Sequence, residues 1–264
     1  MATITVKNGF SYDPKYLDLN AIYEASSYVA SSTVFRANYG YGSSDTFRGY
    51  GLTYNQIGEP VAGVVTSYQA TIFGNVALTI TNISVSASDL VRVAHSAGNS
   101  DDQSLIRANL AGNDAINGGS DRDVIYGYGG NDTLRGNAGD DIMNGGLGND
   151  LITGGLGRDL LSGAAGNDRF IFLKASESTI EARDVVKDFK RGADKIDLSK
   201  IDADAYVAGN QAFKYLGAHD FTGRDGELRF SGGSVYGDLN GDGVADFAIR
   251  VAGPASLSAV DFIL

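Results

Sequence analysis

The sequence predicts an all-β protein built around a central parallel β-roll, with a β-rich region before the roll and a β cap after it. Two observations carry this prediction. Residues 109–171 form seven consecutive nonapeptides, and the flanking regions contain short segments in which apolar and polar residues alternate. A strict short repeat is typical of a solenoid, and alternation with a period of two is typical of strands that are buried on one face. We therefore expect three regions, at residues 1–108, 109–171 and 172–264.

In the N-terminal region, the clearest pattern is a hairpin. Apolar and polar residues alternate along Val64–Phe73 and again along Val76–Thr81, and the dipeptide Gly74-Asn75 lies between these segments. Glycine at the first position of a two-residue turn favours the turn types that match the twist of paired strands. The alternation predicts that Val64 and Tyr68 face the interior.

Two short helices are expected to connect this region to the repeats. Ser88 is a suitable N-terminal cap for a helix at Asp89–His95. Ser100 and Gln103 have the spacing of a capping box in front of an apolar run. The second helix would therefore lead the chain into the first repeat.

The central nonapeptides share the consensus Gly-Gly-x-Gly-x-Asp-x-U-x, in which U is a large apolar residue. Only the units that begin at Gly145 and Gly154 have all three glycines, and the other units depart from the consensus at one or two glycine positions. The sixth position of every unit is an aspartate: Asp114, Asp123, Asp132, Asp141, Asp150, Asp159 and Asp168. The eighth position is apolar: Ile116, Ile125, Leu134, Met143, Ile152, Leu161 and Phe170. Glycine permits positive φ, so the first six residues can form a tight turn, and the last three form a short strand with U on one face. Two units then make one coil of about 18 residues with the U residues inside.

The stacked turns predict a row of cation sites along each edge of the roll. One edge would carry Asp114, Asp132, Asp150 and Asp168, and the other Asp123, Asp141 and Asp159. Carboxylates stacked at this spacing repel one another unless a cation lies between them. The other expected ligands are backbone carbonyls of the leading glycines, Gly118, Gly127, Gly136, Gly145 and Gly154. An oxygen-only ligand set fits Ca²⁺, with about five ions if one lies between each adjacent pair.

The calcium ions are expected to be necessary for folding. Seven buried apolar residues contribute about 10–20 kcal/mol, whereas ordering each residue of the repeats costs about 1–2 kcal/mol. Hydrogen bonds offset only part of this difference, so the metal-free repeats should be disordered. The free energy of calcium binding is then part of the free energy of folding.

The C-terminal region is expected to contain short strands, including a hairpin in which Leu228 and Phe230 pair with Val235. A loop in this region has the first oxygen ligands of an EF-hand at positions 1, 3, 5 and 9: Asp238, Asn240, Asp242 and Asp246. Position 12 is Ile249 rather than glutamate, so the bidentate ligand is missing. The loop is either an additional calcium site or a hairpin turn. Four further acids are either ligands that close the last coil or solvated side chains: Asp184, Asp188, Asp194 and Asp197.

The composition narrows the classes of partner. There are 21 lysines and arginines against 32 acids, which gives a net charge of −11, so cations rather than nucleic acid or anionic membrane are the expected partners. The absence of cysteine excludes a disulfide scaffold. No apolar run approaches the roughly 20 residues of a transmembrane helix, and the N-terminus does not have the pattern of a conventional signal peptide.

The repeats resemble those of the RTX family. The segment after them, including DVVKDFKRGADKIDLS at Asp184–Ser199, is similar to the one that follows the calcium repeats in serralysin-type secreted proteases, and Asp261–Leu264 resembles their type I secretion signal. The resemblance implies export by a type I secretion apparatus and folding outside the cell on calcium. It does not extend to proteolysis, because His95 and His219 are the only histidines and HExxH is absent. The GxSxG motif of the related lipases is also absent.

These features predict an extracellular calcium-binding protein and leave its further role open. The first hypothesis is a non-enzymatic binding or surface-matrix protein whose N-terminal region contacts a polysaccharide or a protein. Nine of the fourteen tyrosines precede residue 109, which suits either a binding face or ordinary strands. The alternatives are a small polysaccharide-modifying enzyme with its site in residues 1–108 and a structural protein that assembles in calcium.

Overall fold

The strands of the described residues belong to two sheets, of twelve and eight strands. The structure is a computed structural model, and it describes residues 2–7, 10, 25, 27–56, 59–72, 75–87, 100–204 and 206–264. The chain is nearly all β, as predicted. Among the described residues, no helix has the length and apolar character needed to cross a membrane.

The N-terminal region forms an antiparallel meander of five strands. These are β2 (Ser27–Ser31), β3 (Val34–Gly40), β4 (Ser43–Tyr54), β5 (Pro60–Ile72) and β6 (Asn75–Ser86). The predicted hairpin corresponds to β5 and β6, but Asn75 pairs with Ile72. Asn75 is therefore the first residue of β6, and Gly74, the other residue of the predicted turn, lies outside the described residues.

A β-bulge changes which face of β5 is buried. The pairing of β5 with β6 shifts between Val65 and Ser67, so the side chains on either side of the shift do not follow one alternation. Val65 is buried, whereas Val64 is only half-buried. The prediction that Val64 faces inward was wrong for this reason, and the same prediction for Tyr68, which is buried, was right.

One helix leads into the repeats, as the capping-box pattern predicted. This helix, α1, spans Ser100–Asn109, and the oxygen of the Asn109 side chain accepts a hydrogen bond from the backbone N–H of Ser84 at 3.3 Å. That contact joins the end of the helix to β6. The other predicted helix, at Asp89–His95, lies outside the described residues.

The repeats form a parallel β-roll. One sheet contains β7 (Ala115–Asn117), β9 (Thr133–Ala138) and β11 (Leu151–Leu156), followed by β13 (Arg169–Ile171). The other contains β8 (Val124–Tyr126), β10 (Ile142–Leu147) and β12 (Leu160–Ala165). Partners lie one coil apart, for example Ile116 with Leu134 and Met143 with Leu161. All seven apolar U residues are at most 1% exposed.

The first strand, β1 (Thr3–Val6), joins the meander to the roll. It pairs antiparallel with β6 and parallel with β7. Ile4 is 0% exposed and lies in register with Ile116, so β1 occupies the place of a coil before the first repeat. The meander and one side of the roll are therefore a single sheet.

The parallel stack continues beyond Ile171 into the C-terminal region. This region contains β14 (Val185–Val186), β15 (Lys195–Asp197), β16 (Lys214–Tyr215), β17 (Glu227–Ser231), β18 (Ser234–Asp238), β19 (Phe247–Val251), β20 (Phe262–Ile263) and 3₁₀ helices at Ala175–Glu177 and Ala259–Asp261. β14 and β19 extend one sheet, and β15 and β20 extend the other. In the antiparallel hairpin of β17 and β18, Phe230 pairs with Val235 as predicted, whereas Leu228 pairs with Gly237 because successive partners in an antiparallel pair move apart from the turn.

One apolar row runs through the core of the twelve-stranded sheet. Its members are registered partners from β3 to β20: Phe35, Phe47, Tyr68, Ile80, Ile4, Ile116, Leu134, Ile152, Phe170, Ile196 and Phe262. Every one of them is buried. The three regions therefore share one core along this sheet.

Candidate metal centre

The aspartates of the repeats form two hydrogen-bonded ladders along the edges of the roll. The backbone N–H of each aspartate donates to Oδ1 of the aspartate one coil later, as from Asp123 to Asp141 at 2.7 Å and from Asp132 to Asp150 at 2.8 Å. Oδ1 of Asp114 accepts from the backbone N–H of Ala2 in the same way. Each ladder thus fixes one oxygen of every carboxylate by a contact between coils.

The second oxygen of nearly every carboxylate in the ladders is buried without a hydrogen-bond partner. This holds for Oδ2 of Asp114, Asp132, Asp141, Asp150, Asp159, Asp168 and Asp184. Asp123 differs, since its Oδ2 accepts the backbone N–H of Gly119 at 2.7 Å. A buried carboxylate oxygen without a partner is costly. A cation coordinated by this row of oxygen atoms would remove that cost.

The leading glycines bring a carbonyl oxygen close to these carboxylates. A Cβ placed on Gly127 would lie 2.3 Å from Asp132 Oδ2 and 2.4 Å from the carbonyl oxygen of Gly145, one coil later. Gly118 and Gly136 have equivalent neighbours. A carboxylate oxygen and a carbonyl oxygen therefore converge on a space where only glycine fits. This donor set is that of a hard cation such as Ca²⁺.

The electrostatics of the ladders favour a bound cation. Burial, and then repulsion from neighbouring aspartates, raises the pKa of Asp132 and of Asp141 to about 7. Burial likewise raises the pKa of Asp168 to about 6 and that of Asp184 to about 9. Backbone hydrogen bonds to the same carboxylates lower their pKa values, but by less than burial and repulsion raise them. A cation would offset both burial and repulsion.

Two acids outside the nonapeptides lie at the end of one ladder, and one of them, Asp184, extends it. The backbone N–H of Asp159 donates to Asp184 Oδ1 at 2.9 Å, and Glu177 is a buried neighbour whose charge contributes to raising the pKa of both aspartates. Asp184 is 25 residues beyond Asp159 rather than 18. Neither acid follows the nine-residue period, so the repeats alone predict neither of them. The sequence pointed to Asp184 only as one of four acids after the repeats, and Glu177 was missed.

The other acids considered at the end of the roll have different environments. Asp194 Oδ1 accepts the backbone N–H of Asp168 at 3.0 Å and continues the second ladder. Asp188 accepts hydrogen bonds from Ser162 Oγ and from two backbone N–H groups. Asp197 forms an ion pair with Arg169. Asp188 and Asp197 therefore close the last coil through protein contacts.

The EF-hand-like loop is the turn between β18 and β19. Asp238 is buried, and its Oδ1 and Oδ2 accept the backbone N–H groups of Gly241 and Gly243 at 2.8 and 2.9 Å. Oδ1 of Asn240 accepts from Asp242 N–H at 2.9 Å. The backbone of the turn thus supplies partners for these oxygens.

Within the described ranges, no three or more His, Cys, Asp or Glu side chains cluster as a metal site. An ion in the roll therefore has to draw on backbone carbonyls as well as carboxylates.

In the N-terminal region, Asp45 accepts hydrogen bonds from the hydroxyls of Tyr39 and Tyr68 at 2.6 and 2.8 Å. Glu59 contacts Asn55, so these two acids serve separate local networks.

Comparison with known proteins agrees with this geometry. The profile of the family described as peptidase M10 serralysin C terminal matches residues 22–264. The chain belongs to this family. It is therefore a calcium-binding RTX-type domain of the kind found in the secreted serralysins, as the repeats and the segment after them predicted.

Two relatives of this serralysin C-terminal domain are metallopeptidases from Pseudomonas. Metallopeptidase AprA of Pseudomonas marginalis is 40% identical over 97 residues, which is 34% of this chain and 19% of the relative. Metalloprotease AprA of Pseudomonas entomophila (strain L48) is 38% identical over 97 residues, with the same coverage. The match thus spans about a fifth of these relatives, 19% of each.

A solved structure is also similar to part of the domain. It is the solution structure of the AlgE6R3 subunit from the Azotobacter vinelandii mannuronan C5-epimerase, with 25% sequence identity and a TM-score of 0.21. The match covers 58% of this chain and 79% of that one.

Proposed function

We propose that this domain folds as calcium ions bind between successive coils of its roll. The observation that carries the proposal is the set of buried Oδ2 atoms without hydrogen-bond partners. In each ladder the backbone holds Oδ1, so Oδ2 is the atom left to coordinate a cation, except at Asp123, whose Oδ2 also accepts a backbone hydrogen bond. Calcium would supply the positive charge that lets the carboxylates stay ionised inside the roll.

The proposed ligands are the ladder carboxylates together with glycine carbonyls. The carboxylates are those of Asp114, Asp123, Asp132, Asp141, Asp150, Asp159 and Asp168, and the carbonyls are those of Gly118, Gly127, Gly136, Gly145 and Gly154. Glu177 and Asp184 would add ligands where one ladder ends. One ion between each adjacent pair of repeat aspartates gives about five ions. The turn at Asp238, Asn240 and Asp242 is a weaker candidate, because its oxygens already accept backbone hydrogen bonds.

We propose further that the protein acts outside the cell after export by a type I secretion apparatus. Family membership supports this proposal, because the serralysins are secreted. Phe262, at the C-terminal end that resembles the export signal, is buried as part of β20 and pairs with β15. The signal would therefore be read before the sheet is complete, and calcium outside the cell would then drive folding.

The function proposed for the folded chain is binding rather than catalysis. The sequence has neither HExxH nor GxSxG, and the meander carries large exposed side chains, among them Tyr28, Tyr41 and Tyr50. Exposed tyrosines suit contacts with a partner. The peptidase activity named for the relatives belongs to proteins of which the match spans 19%.

Calcium titration of the full chain tests the central proposal. Circular dichroism should show a gain of β signal on going from chelator to millimolar calcium, and calorimetry should count about five ions in the roll. A spectrum that does not change with calcium would refute metal-dependent folding. Magnesium at the same concentration is the control, since its smaller octahedral shell suits these ligands less well.

A further inference from the structure

One side of the twelve-stranded sheet faces away from the apolar core, and its residues line up in two rows. The first row runs from β3 to β11: Arg36, Thr46, Gln69, Thr79, Thr5, Asn117, Arg135 and Thr153. The second runs from β3 to β13: Val34, Arg48, Ser67, Thr81, Thr3, Ala115, Thr133, Leu151 and Arg169. We call these two rows the outer face. With strands about 4.8 Å apart, it is on the order of 40 Å long.

The outer face consists mainly of hydroxyl, amide and guanidinium groups. Threonine is its commonest residue. Thr46 and Thr153 are buried, and the half-buried hydroxyl groups of the other threonines can both donate and accept hydrogen bonds. Because the residues are registered partners on neighbouring strands, these groups recur at the strand spacing. Such an array can make repeated hydrogen bonds to an extended polymer that itself carries many hydroxyl groups.

The charge of the outer face is opposite to that of the whole chain. The protein has 32 acids and 21 lysines and arginines, yet the two rows contain four arginines and no acid. Arg169 is neutralised by Asp197, and Arg36 Nε donates to Thr46 Oγ1 at 2.9 Å. Arg48 and Arg135 are exposed, and neither forms an ion pair within the part of the chain that the structure describes. Two guanidinium groups therefore remain available for an anionic partner.

A hollow of about 330 Å³ lies at the meander end of this side of the sheet. Arg36, Asn38, Ser44 and Thr71 are among the residues that line it. Its volume is at the lower end of the range of small-ligand sites. It offers one cation and several polar groups to a single unit of a longer polymer.

From these observations we infer that the outer face binds an extended acidic polysaccharide. Hydroxyl and amide groups would contact the hydroxyls of the sugars, and the arginines would contact their carboxylate or sulfate groups. Nucleic acid fits less well, because the two rows contain no aromatic residue on which bases could stack. An anionic membrane would require a denser group of basic residues.

This inference rests on the proposed function, because the roll supplies much of the outer face. Asn117, Arg135 and Thr153 lie on roll strands, so their alignment requires a folded roll. Arg36 and Arg48 lie on the meander. Folding and binding are therefore measured separately, the first by circular dichroism and the second with a labelled polymer.

Fluorescently labelled carboxymethyl dextran is the probe, and unmodified dextran of the same length is its neutral control. The full chain in calcium should raise the anisotropy of the carboxylated polymer only. The double variant R48Q/R135Q should weaken binding about fivefold, because exposed charge contacts each contribute modestly. The matched variant R224Q removes an exposed arginine outside the two rows and should bind as the parent does.

Each of the other possible results tests the proposed function and the polysaccharide-binding inference separately. Absence of binding by a chain that circular dichroism shows to be folded in calcium overturns the inference and leaves the proposed function intact. An equal loss in R224Q, or tighter binding of duplex DNA than of the carboxylated polymer, also overturns it. If the circular dichroism spectrum does not change with calcium but R48Q/R135Q weakens polymer binding, the proposed function is refuted and binding of the polysaccharide by the outer face is supported.

Discussion

Oδ1 of Asp150 accepts a hydrogen bond from the backbone N–H of Asp132 at 2.8 Å, whereas Oδ2 of Asp150 is buried without a hydrogen-bond partner. The two oxygens of one carboxylate thus have separate roles. The first ties neighbouring coils together through the backbone, and the second is directed to a cation in the proposed function. The ladders repeat this division of roles from coil to coil.

Replacing Asp150 should weaken calcium binding far more than replacing Asp121. Asp150 is 0% exposed and lies in the middle of its ladder, whereas Asp121 is an exposed turn residue. We expect Asp150→Ala to lower calcium affinity at least about tenfold, and Asp121→Ala to change stability by less than about 0.5 kcal/mol. Calorimetric titration and thermal melting measure both effects. Equal effects of the two substitutions would contradict the assigned register.

Adding one methyl group at Gly127 should block the neighbouring site. A Cβ there would lie 2.3 Å from Asp132 Oδ2, so Gly127→Ala should lower both calcium affinity and the melting temperature. Gly112→Ala is the matched control, because a Cβ at Gly112 meets nothing within 4 Å. Thermal melting in calcium compares the two variants. A normal melting temperature for Gly127→Ala would show that the carboxylate and carbonyl oxygens do not converge as described.

The metal-free fold should be more stable in acid than at neutral pH. Burial raises the pKa of Asp132 and Asp141 from 3.8 to about 7, so the folded chain holds protons that the unfolded chain has lost. This contribution to stability is fully present below about pH 4 and is lost as the pH rises through about 7. Circular dichroism in chelator should therefore show more β signal at pH 5 than at pH 8.

Calcium affinity should change with pH in the opposite direction. Calcium binds the ionised carboxylates, so it has to displace these protons, and its affinity should rise between pH 5 and pH 8. Titrations in two buffers of different ionisation enthalpy would detect the released protons. An affinity that is constant over this interval would contradict the raised pKa values.

Truncating Ile4 should destabilise the meander and the roll together. Ile4 is 0% exposed and lies between its partners Ile80 and Ile116. Ile4→Ala should cost about 2–5 kcal/mol, whereas Leu147→Ala, at a side chain that is 66% exposed, should cost less than about 0.5 kcal/mol. Urea unfolding in calcium should show one transition for both regions. Two separate transitions would show that the shared sheet does not couple them.

The roll could be predicted from the sequence because its information is local and periodic. Each unit repeats the same turn and the same apolar position, so the partners 18 residues apart follow from counting. The pairing of Thr3 with Ala115 could not be predicted in this way, because it joins distant segments that share no repeat. Glu177 was missed for a related reason, since the nine-residue period ends before it.

The error at Val64 has a different physical cause. Alternation identifies the buried face of a strand only while its pairing register is constant, and a bulge reverses that assignment. The shift between Val65 and Ser67 depends on the neighbouring strand β6, and the sequence of β5 alone does not contain it. The alternation therefore predicted the strand correctly and its buried face only in part.

The position of β1 also covers two strand edges where the meander meets the roll. A strand with an unpaired edge is a template for another chain, and β7 would have such an edge if residues 2–6 were removed. Paired with β6 on one side and β7 on the other, the short segment Thr3–Val6 leaves neither neighbour open at that junction. A chain shortened to residues 109–264 should accordingly form edge-to-edge aggregates in calcium, even though all seven repeats are intact.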